Sequence, residues 1–405
     1  MKIIGKIPPW VLLCLVVFHT TAETAYTSSL PTIASNLRTS GNLAQLSSSV
    51  YFLGFSLGIL LLGRVSDIFG RRPVVLAGMI VYIVALTASI FSINIEMLIF
   101  LRFISSFGAS VGSVIGQAMA RDSYEGRELS YIYTRLSMGL ALIPSLGSLI
   151  GGYIVEYAGW RYIFVFLGGT ALLLLLLYLK YLPETNPYIG AARNNKYFTV
   201  LKVVVKDKIV LLYAFIVGAF NGMAFGFFIE APFVFVGKLN MPPSSYGKLI
   251  LLLSGSMALG SLIASYLIRK HVKSAKIMAS GLALSLIGAT ILIISSYLIQ
   301  GLNKYLVIAM IFGPMMMHMV GHSLLLPMCL RYSLEDYPKV TGTAGSIFGS
   351  IYYILVALIT FTISKLHSDT ITNFTLLFFA LSAACSLSFY FIQKWHPTRK
   401  IYVFN

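Results

Sequence analysis

Charge is scarce in this chain. Asp, Glu, Lys and Arg make up 11% of its 405 residues, whereas a soluble domain averages roughly 25%. An ordinary soluble globular enzyme is excluded on that ground. Acids are the scarcest, with 13 Asp and Glu against 30 Lys and Arg. Only three cysteines occur, Cys14, Cys329 and Cys385, each inside an apolar run. They read as packing residues, with no disulfide framework and no metal spacing. A G-x-x-x-x-G-K-[ST] phosphate loop is missing, which leaves ATP without a binding motif. Neither a regional Ser/His/Asp constellation nor repeated acidic rings occur, so a membrane-embedded enzyme or a channel would lack its chemistry.

Apolar residues are abundant. They make up 58% of the chain, and the mean hydropathy is +0.85. Repeated runs of about 20 apolar residues predict membrane-spanning helices. Six precede a longer connection: Trp10–Ile33, Leu46–Leu62, Val74–Phe91, Met97–Ala120, Tyr131–Ile154 and Tyr162–Leu179. Six follow it: Ile209–Val236, Tyr246–Ile268, Ala275–Leu298, Tyr305–Met328, Thr341–Ile363 and Ile371–Gln393. Residues 1–180 and 209–405 are thus expected to be two six-helix halves, joined by residues 181–208 with Lys196, Lys202, Lys206 and Lys208. Six plus six is the pattern of a duplicated transporter. The basic start and the run from Trp10 could mimic a signal peptide, with Ala22 and Ala25 as its cleavage site. Glu23 beside that site, and eleven further spans, favour an uncleaved first helix.

The formal charge of +17 does not point to nucleic acid, because the basic residues lie between apolar spans. With the N-terminus inside, roughly 23 Lys and Arg fall at cytoplasmic ends and roughly six at outer loops. The outer six are Arg38, Arg161, Lys238, Lys248, Lys304 and Lys365. Both termini are expected in the cytoplasm, and the basic ends are suited to anionic lipid headgroups.

Between the second and third spans, Gly63 to Leu76 reads G-R-V-S-D-I-F-G-R-R-P-V-V-L. So polar a stretch predicts a short hinge at the water boundary. Asp67 could pair with Arg71 four residues on, or cap the next helix. The stretch resembles the signature loop of the major facilitator superfamily, G-x-x-x-D-x-x-G-R-[RK]. Gly63, Asp67, Gly70, Arg71 and Arg72 match it position by position. The S-D-x-x-G-R-R-P version is similar to the Bcr/CflA branch of drug-resistance transporters. The second-half counterpart, Arg269 to Lys273, is basic but lacks the acid and the glycines.

Ionisable groups inside hydrocarbon ask for a reason. Glu23 lies near the middle of the first span. His19, Glu23 and Tyr26 share a helical face and are candidates to line a polar cavity. Glu23 is a candidate proton or cation site, or else a structural hydrogen-bonded acid. Glu230, before Pro232 in span seven, is either a candidate proton-coupling group in a site at a broken helix or a group that snorkels to the interface. Arg102 opens R-F-I-S-S-F-G-A, which resembles the superfamily's span-four arginine pattern, with Ser106 where a glutamine is frequent. The resemblance implies proton coupling. A buried guanidinium needs a partner, and Glu23 or a water-filled cavity could serve.

Gly108, Gly112 and Gly116 form a small-residue ridge for close packing. Span five, P-S-L-G-S-L-I-G-G, resembles the antiporter motif G-P-x-x-G-G through Gly147, Gly151 and Gly152. Ser148 replaces its proline, and Pro144 lies one turn earlier. A plain packing groove is the other reading. His318 and His322 share a face in span ten. They are candidates for cavity lining, or for packing with a hydrogen bond to a neighbouring helix. No carboxylate or H-E-x-x-H pattern supports a metal. The methionines beside them, Met315 to Met319, suit either an adaptable pocket or a lipid face. Gly345 and Gly349, in a stretch similar to the A-G-T-A-S-x-x-x-G of Bcr/CflA proteins, suggest another close-packing ridge.

The expected fold is an all-α membrane protein, the twelve-helix major facilitator bundle in two pseudo-symmetric halves. The resemblance implies export of small organic compounds across a bacterial inner membrane by alternating access, driven by a proton gradient without a cofactor. The expected partners are a small-molecule substrate, protons and membrane lipids, and the expected state is a monomer. The competing reading is a dedicated exporter or importer of one metabolite or siderophore.

Overall fold

Apolar segments in lipid must satisfy their own backbone hydrogen bonds, and a helix does so within one segment. The computed structural model describes residues 5–186, 189, 197–299, 301–337, 340–368 and 370–395. Lys196 and the last ten residues lie outside the described residues. The first half holds α1 (Pro9–Thr27), α2 (Leu30–Asn36), α3 (Gly41–Phe69), α4 (Arg71–Ile90), α5 (Ile95–Ser123), α6 (Gly126–Tyr157) and α7 (Arg161–Tyr181). After α8 (Tyr197–Val204) come α9 (Lys208–Pro232), α10 (Pro243–Arg269), α11 (Ser274–Leu298), α12 (Lys304–Ser333), α13 (Thr341–Leu366) and α14 (Thr372–Trp395). Twelve of these are long, α2 and α8 being short. Ten of the described helices are long and apolar enough to cross a membrane. α1 is not among them, because its second half carries His19, Glu23 and four threonines.

Helix ends follow from local chemistry. Ser40, Asn94 and Asn303 cap α3, α5 and α12 by accepting the backbone N–H of Leu43, Met97 and Leu306. Asp207 accepts from Ile209 and Val210 at the start of α9, a cap typically worth about 1 kcal/mol. Pro232 has no N–H to continue the ladder, and α9 widens into a π turn over Phe233–Lys238.

Several expectations need correction. The first span is not one helix, because it stops at Thr27 and restarts at Leu30. Thr27 and Ser29 hydroxyls donate to the carbonyls of Thr24 and Tyr26, and Pro31 cannot bond backward. The signature stretch is not a hinge along its length. Gly63 and Asp67 lie in the last turns of α3, and only Gly70, at φ +103°, leaves the helix. A 29-residue helix is about 43 Å long, so it outruns a hydrocarbon core of about 30 Å.

Packing forms two clusters. In one, α1 lies against α5, α6 and α7, while α3 and α4 lie on α5. In the other, α9 lies against α12, α13 and α14, while α11 packs on α12 and α14. The clusters meet through α3 on α13 and α6 on α10. Side chains on the outer surface are apolar, Val84 and Leu262 among them, as lipid contact requires. The glycine ridges hold the first cluster together. A Cβ at Gly108 would stand 2.6 Å from the Gly78 carbonyl oxygen, and one at Gly151 would strike the Ala25 backbone. Gly345 and Gly349 differ, since a Cβ there would meet its nearest atom at 3.6 Å, an ordinary contact. The close-packing ridge expected in span eleven is not one in this structure.

Candidate functional site

The two clusters enclose a cavity of about 360 Å³. His19 and Thr20 of α1, Gln117 of α5 and Pro144 of α6 line one side. Asn221, Phe225 and Phe228 of α9, Met319 and His322 of α12, and Tyr352 and Tyr353 of α13 line the other. The lining runs on to Ser261 and Leu330, near the end of the bundle that carries the α3–α4 junction. At the far end the cavity is shut. There Asn42 donates to the Ser364 carbonyl at 2.7 Å, and Ser244 N–H donates to Glu156 at 3.0 Å. Ser145 meets Ser254, and Ser145 Oγ donates to the Ile250 carbonyl at 2.9 Å. Midway, Ser56 of α3 and Ser350 of α13 are hydrogen-bonded.

Beside the cavity, Glu23 and Arg102 form a buried ion pair, with exposures of 2% and 0%. The Arg102 guanidinium carbon lies 4.0 and 4.1 Å from the ring centres of Tyr26 and Tyr51. Two desolvated cation–π contacts can each contribute about 2 kcal/mol. They hold the cation where its Nε and Nη1 have no acceptor among the described residues. A void of about 20 Å³ touches Glu23, His19, Thr20 and Tyr51, room for about one water. His19 stacks on Phe55 at 4.9 Å and borders both spaces.

The sequence-predicted residues are divided by this geometry. His19 and His322 face the cavity, and Pro144 borders it. Tyr26 does not, because its hydroxyl meets Ser47 Oγ at 2.5 Å and its ring is covered by Arg102. His318 does not either. One turn and about 40° from His322, it is fully buried, meets Ser285 Oγ at 2.7 Å and packs on Phe220 and Phe378. Glu230 lies two residues beyond Phe228 of the cavity lining. It is 2% exposed and does not snorkel; Gln45 and His367 hold it. Gly147 and Gly151 press α6 on α1, and Gly152 presses it on Pro243 of α10.

At the junction end, Asp67 pairs with Arg71, which also reaches Asp122 at 3.2 Å and Ser66 Oγ at 2.7 Å. Asp67 does not cap α4. Glu184 does, accepting the N–H of Arg71 at 2.9 Å and of Arg72 at 3.0 Å. Arg72 donates to the Leu179 carbonyl, and Asn186 donates to the Asp67 carbonyl. Sequence reasoning missed Glu184, although it is a lone acid just after an apolar run. It also missed Gln117 and Asn221, amides within apolar runs that the test applied to Glu23 would have found. Nothing in the sequence singles out Tyr352 and Tyr353.

Comparison with known proteins accounts for this architecture. Residues 12–360 match the family model described as Major Facilitator Superfamily. An "Uncharacterized transporter" of Rickettsia bellii is 57% identical over 97% of this chain and 98% of its own length. A "Bicyclomycin resistance protein homolog" of Haemophilus influenzae is 26% identical over 91% of this chain and 92% of its own. The solved D-xylose-proton symporter superposes with a TM-score of 0.76 at 14% identity, covering 95% of this chain and 96% of the other. At that identity it speaks for the fold alone. A family match over most of the chain, twelve long helices and a cavity between two packed clusters lead to one conclusion: the chain is a multi-pass membrane transporter of the Major Facilitator Superfamily.

Proposed function

We propose that the protein exports a small organic compound across a bacterial inner membrane in exchange for protons, by alternating access. The observation that carries this reading is the buried Glu23–Arg102 pair beside the cavity. A carboxylate there can take a proton only by releasing the arginine, so protonation and local structure are linked. The cavity's aromatic and methionine lining suits an apolar body, and its histidines and amides suit polar substituents. The excess of basic residues at the junction end supports placing that end, with both termini, in the cytoplasm. In that orientation the cavity faces inward. The proton gradient supplies the energy, no cofactor takes part, and one chain suffices.

A carrier dedicated to one metabolite is the second reading. The cavity volume of about 360 Å³ favours it, lying low in the range of roughly 300–1,000 Å³ for ligand pockets.

The test is reconstitution in liposomes with an imposed pH gradient, a trapped pH dye and a panel of drugs and metabolites. Exchange predicts that a substrate dissipates the gradient and that Glu23→Gln abolishes the effect. Transport without proton movement would overturn the coupling. A single saturable substrate would favour the dedicated carrier.

A further inference from the structure

The polar groups of the cavity are all of one kind. In the described lining they are the amides of Gln117 and Asn221, the imidazoles of His19 and His322, and hydroxyls such as those of Thr20 and Tyr353. No Asp, Glu, Lys or Arg stands among these described residues. Asn221 Nδ2 donates to the Val217 carbonyl at 2.9 Å, which steadies the amide and leaves Oδ1 as an acceptor. Apolar surface makes up much of the rest. The Phe225 ring lies 4.7 Å from that of Phe52, and the Tyr353 ring 4.8 Å from that of Phe55. Rings of α9 and α13 are thus backed by rings of α3.

We infer that the substrate is an uncharged compound, with a ring-bearing apolar body and hydrogen-bonding substituents, and that ammonium and carboxylate compounds of the same shape are rejected. This rests on the reading that the cavity carries the substrate, and not on proton exchange. In alternating access the substrate is closed off from water on both sides before its release. A net charge then loses its hydration, at a cost that only a paired opposite charge offsets. An amide, a hydroxyl or a carbonyl loses far less, and the amides and hydroxyls of the lining can replace its hydrogen bonds.

The charges nearest the cavity do not supply that partner. Glu23 borders the small void beside it, but its Oε2 is held by Arg102. A substrate cation would have to displace a guanidinium already set against the rings of Tyr26 and Tyr51. The same pairing denies Arg102 to a substrate anion. Arg121, one turn past Gln117, and Arg331, next to Leu330, are exposed at the junction end, where water and salt screen them. Aromatic faces can hold a cation. Phe225, Tyr352 and Tyr353, however, are already engaged with other rings at 4.6 to 4.8 Å, and such a contact is weaker than an ion's lost hydration.

The test is isothermal titration calorimetry on the full chain in nanodiscs of neutral phosphatidylcholine, with empty nanodiscs as the blank. It is run at about pH 8, where a histidine of ordinary pKa, about 6.5, is uncharged. The probes are naphthylacetamide, naphthylacetate and naphthylethylamine, the last an ammonium at this pH. They share a body and differ in charge. The amide should bind at least about tenfold more tightly than either ion. Asn221→Asp puts a carboxylate into the lining and should turn the preference toward the ammonium by about tenfold. If that variant does not purify folded, Gln117→Glu, at an exposed position, carries the same test. An ion that binds the unaltered protein as tightly as the amide, or a folded variant that keeps the full preference for the amide, overturns the inference alone. Failure of all three probes to bind overturns it together with the reading of the cavity as the substrate site.

Discussion

Glu184 takes the backbone N–H of Arg71 at 2.9 Å, so the residues that follow α7 supply the N-terminal cap of α4. The first helical turn leaves N–H groups without partners, and a carboxylate there gains from both hydrogen bonds and the helix dipole. Glu184→Ala should destabilise the protein by roughly 1–2 kcal/mol, visible as a lower melting temperature in detergent. Glu184→Asp should cost less. An unchanged melting temperature in both variants would rule out the cap.

The Glu23–Arg102 pair predicts non-additivity. Arg102→Met strands a buried carboxylate, and Glu23→Gln strands a buried guanidinium. Each should cost about 3–5 kcal/mol, and the double variant should cost clearly less than the sum. Thermal unfolding of the four proteins measures this. Additive losses would mean that the two groups are not coupled.

Glycines of similar sequence context should behave differently. At Gly151 an added methyl strikes the Ala25 backbone, which cannot yield as a side chain can. Gly151→Ala should cost about 1–3 kcal/mol. At Gly349 the same methyl has ordinary contacts, so Gly349→Ala should stay within about 0.5 kcal/mol. Thermal stability compared side by side decides it, and equal costs would contradict the packing described.

The two histidines of α12 should separate in a binding assay. His322 borders the cavity, so His322→Ala should weaken substrate binding several-fold with little loss of stability. His318 sits in the second cluster against Ser285. His318→Ala should cost roughly 1–3 kcal/mol through the lost bond and the cavity it leaves. Substrate affinity in the folded fraction should be unchanged. The opposite pattern would place His318 in the site.

Much of this protein was legible in its sequence because lipid imposes strict rules. Scarce charge, about a dozen apolar runs and basic residues clustered between them specify a helical membrane bundle, since nothing else satisfies the backbone there. The Asp67–Arg71 pair was legible because one helical turn of spacing brings its members together whatever surrounds them. Glu23 and Arg102 stood out one by one as costly groups in hydrocarbon. That they pair with each other was settled only when α1 packed on α5. The α4 cap could not be read locally, as its donors and Glu184 are over a hundred positions apart. Periodicity placed His318 and His322 on one face, but the partner helices decided which one the cavity would see. Glu230 also stood out alone, but its contact with Gln45 and His367 belongs to the tertiary level. Its members come from three distant segments, and only the closing of the two clusters on each other brings their polar atoms within bonding distance.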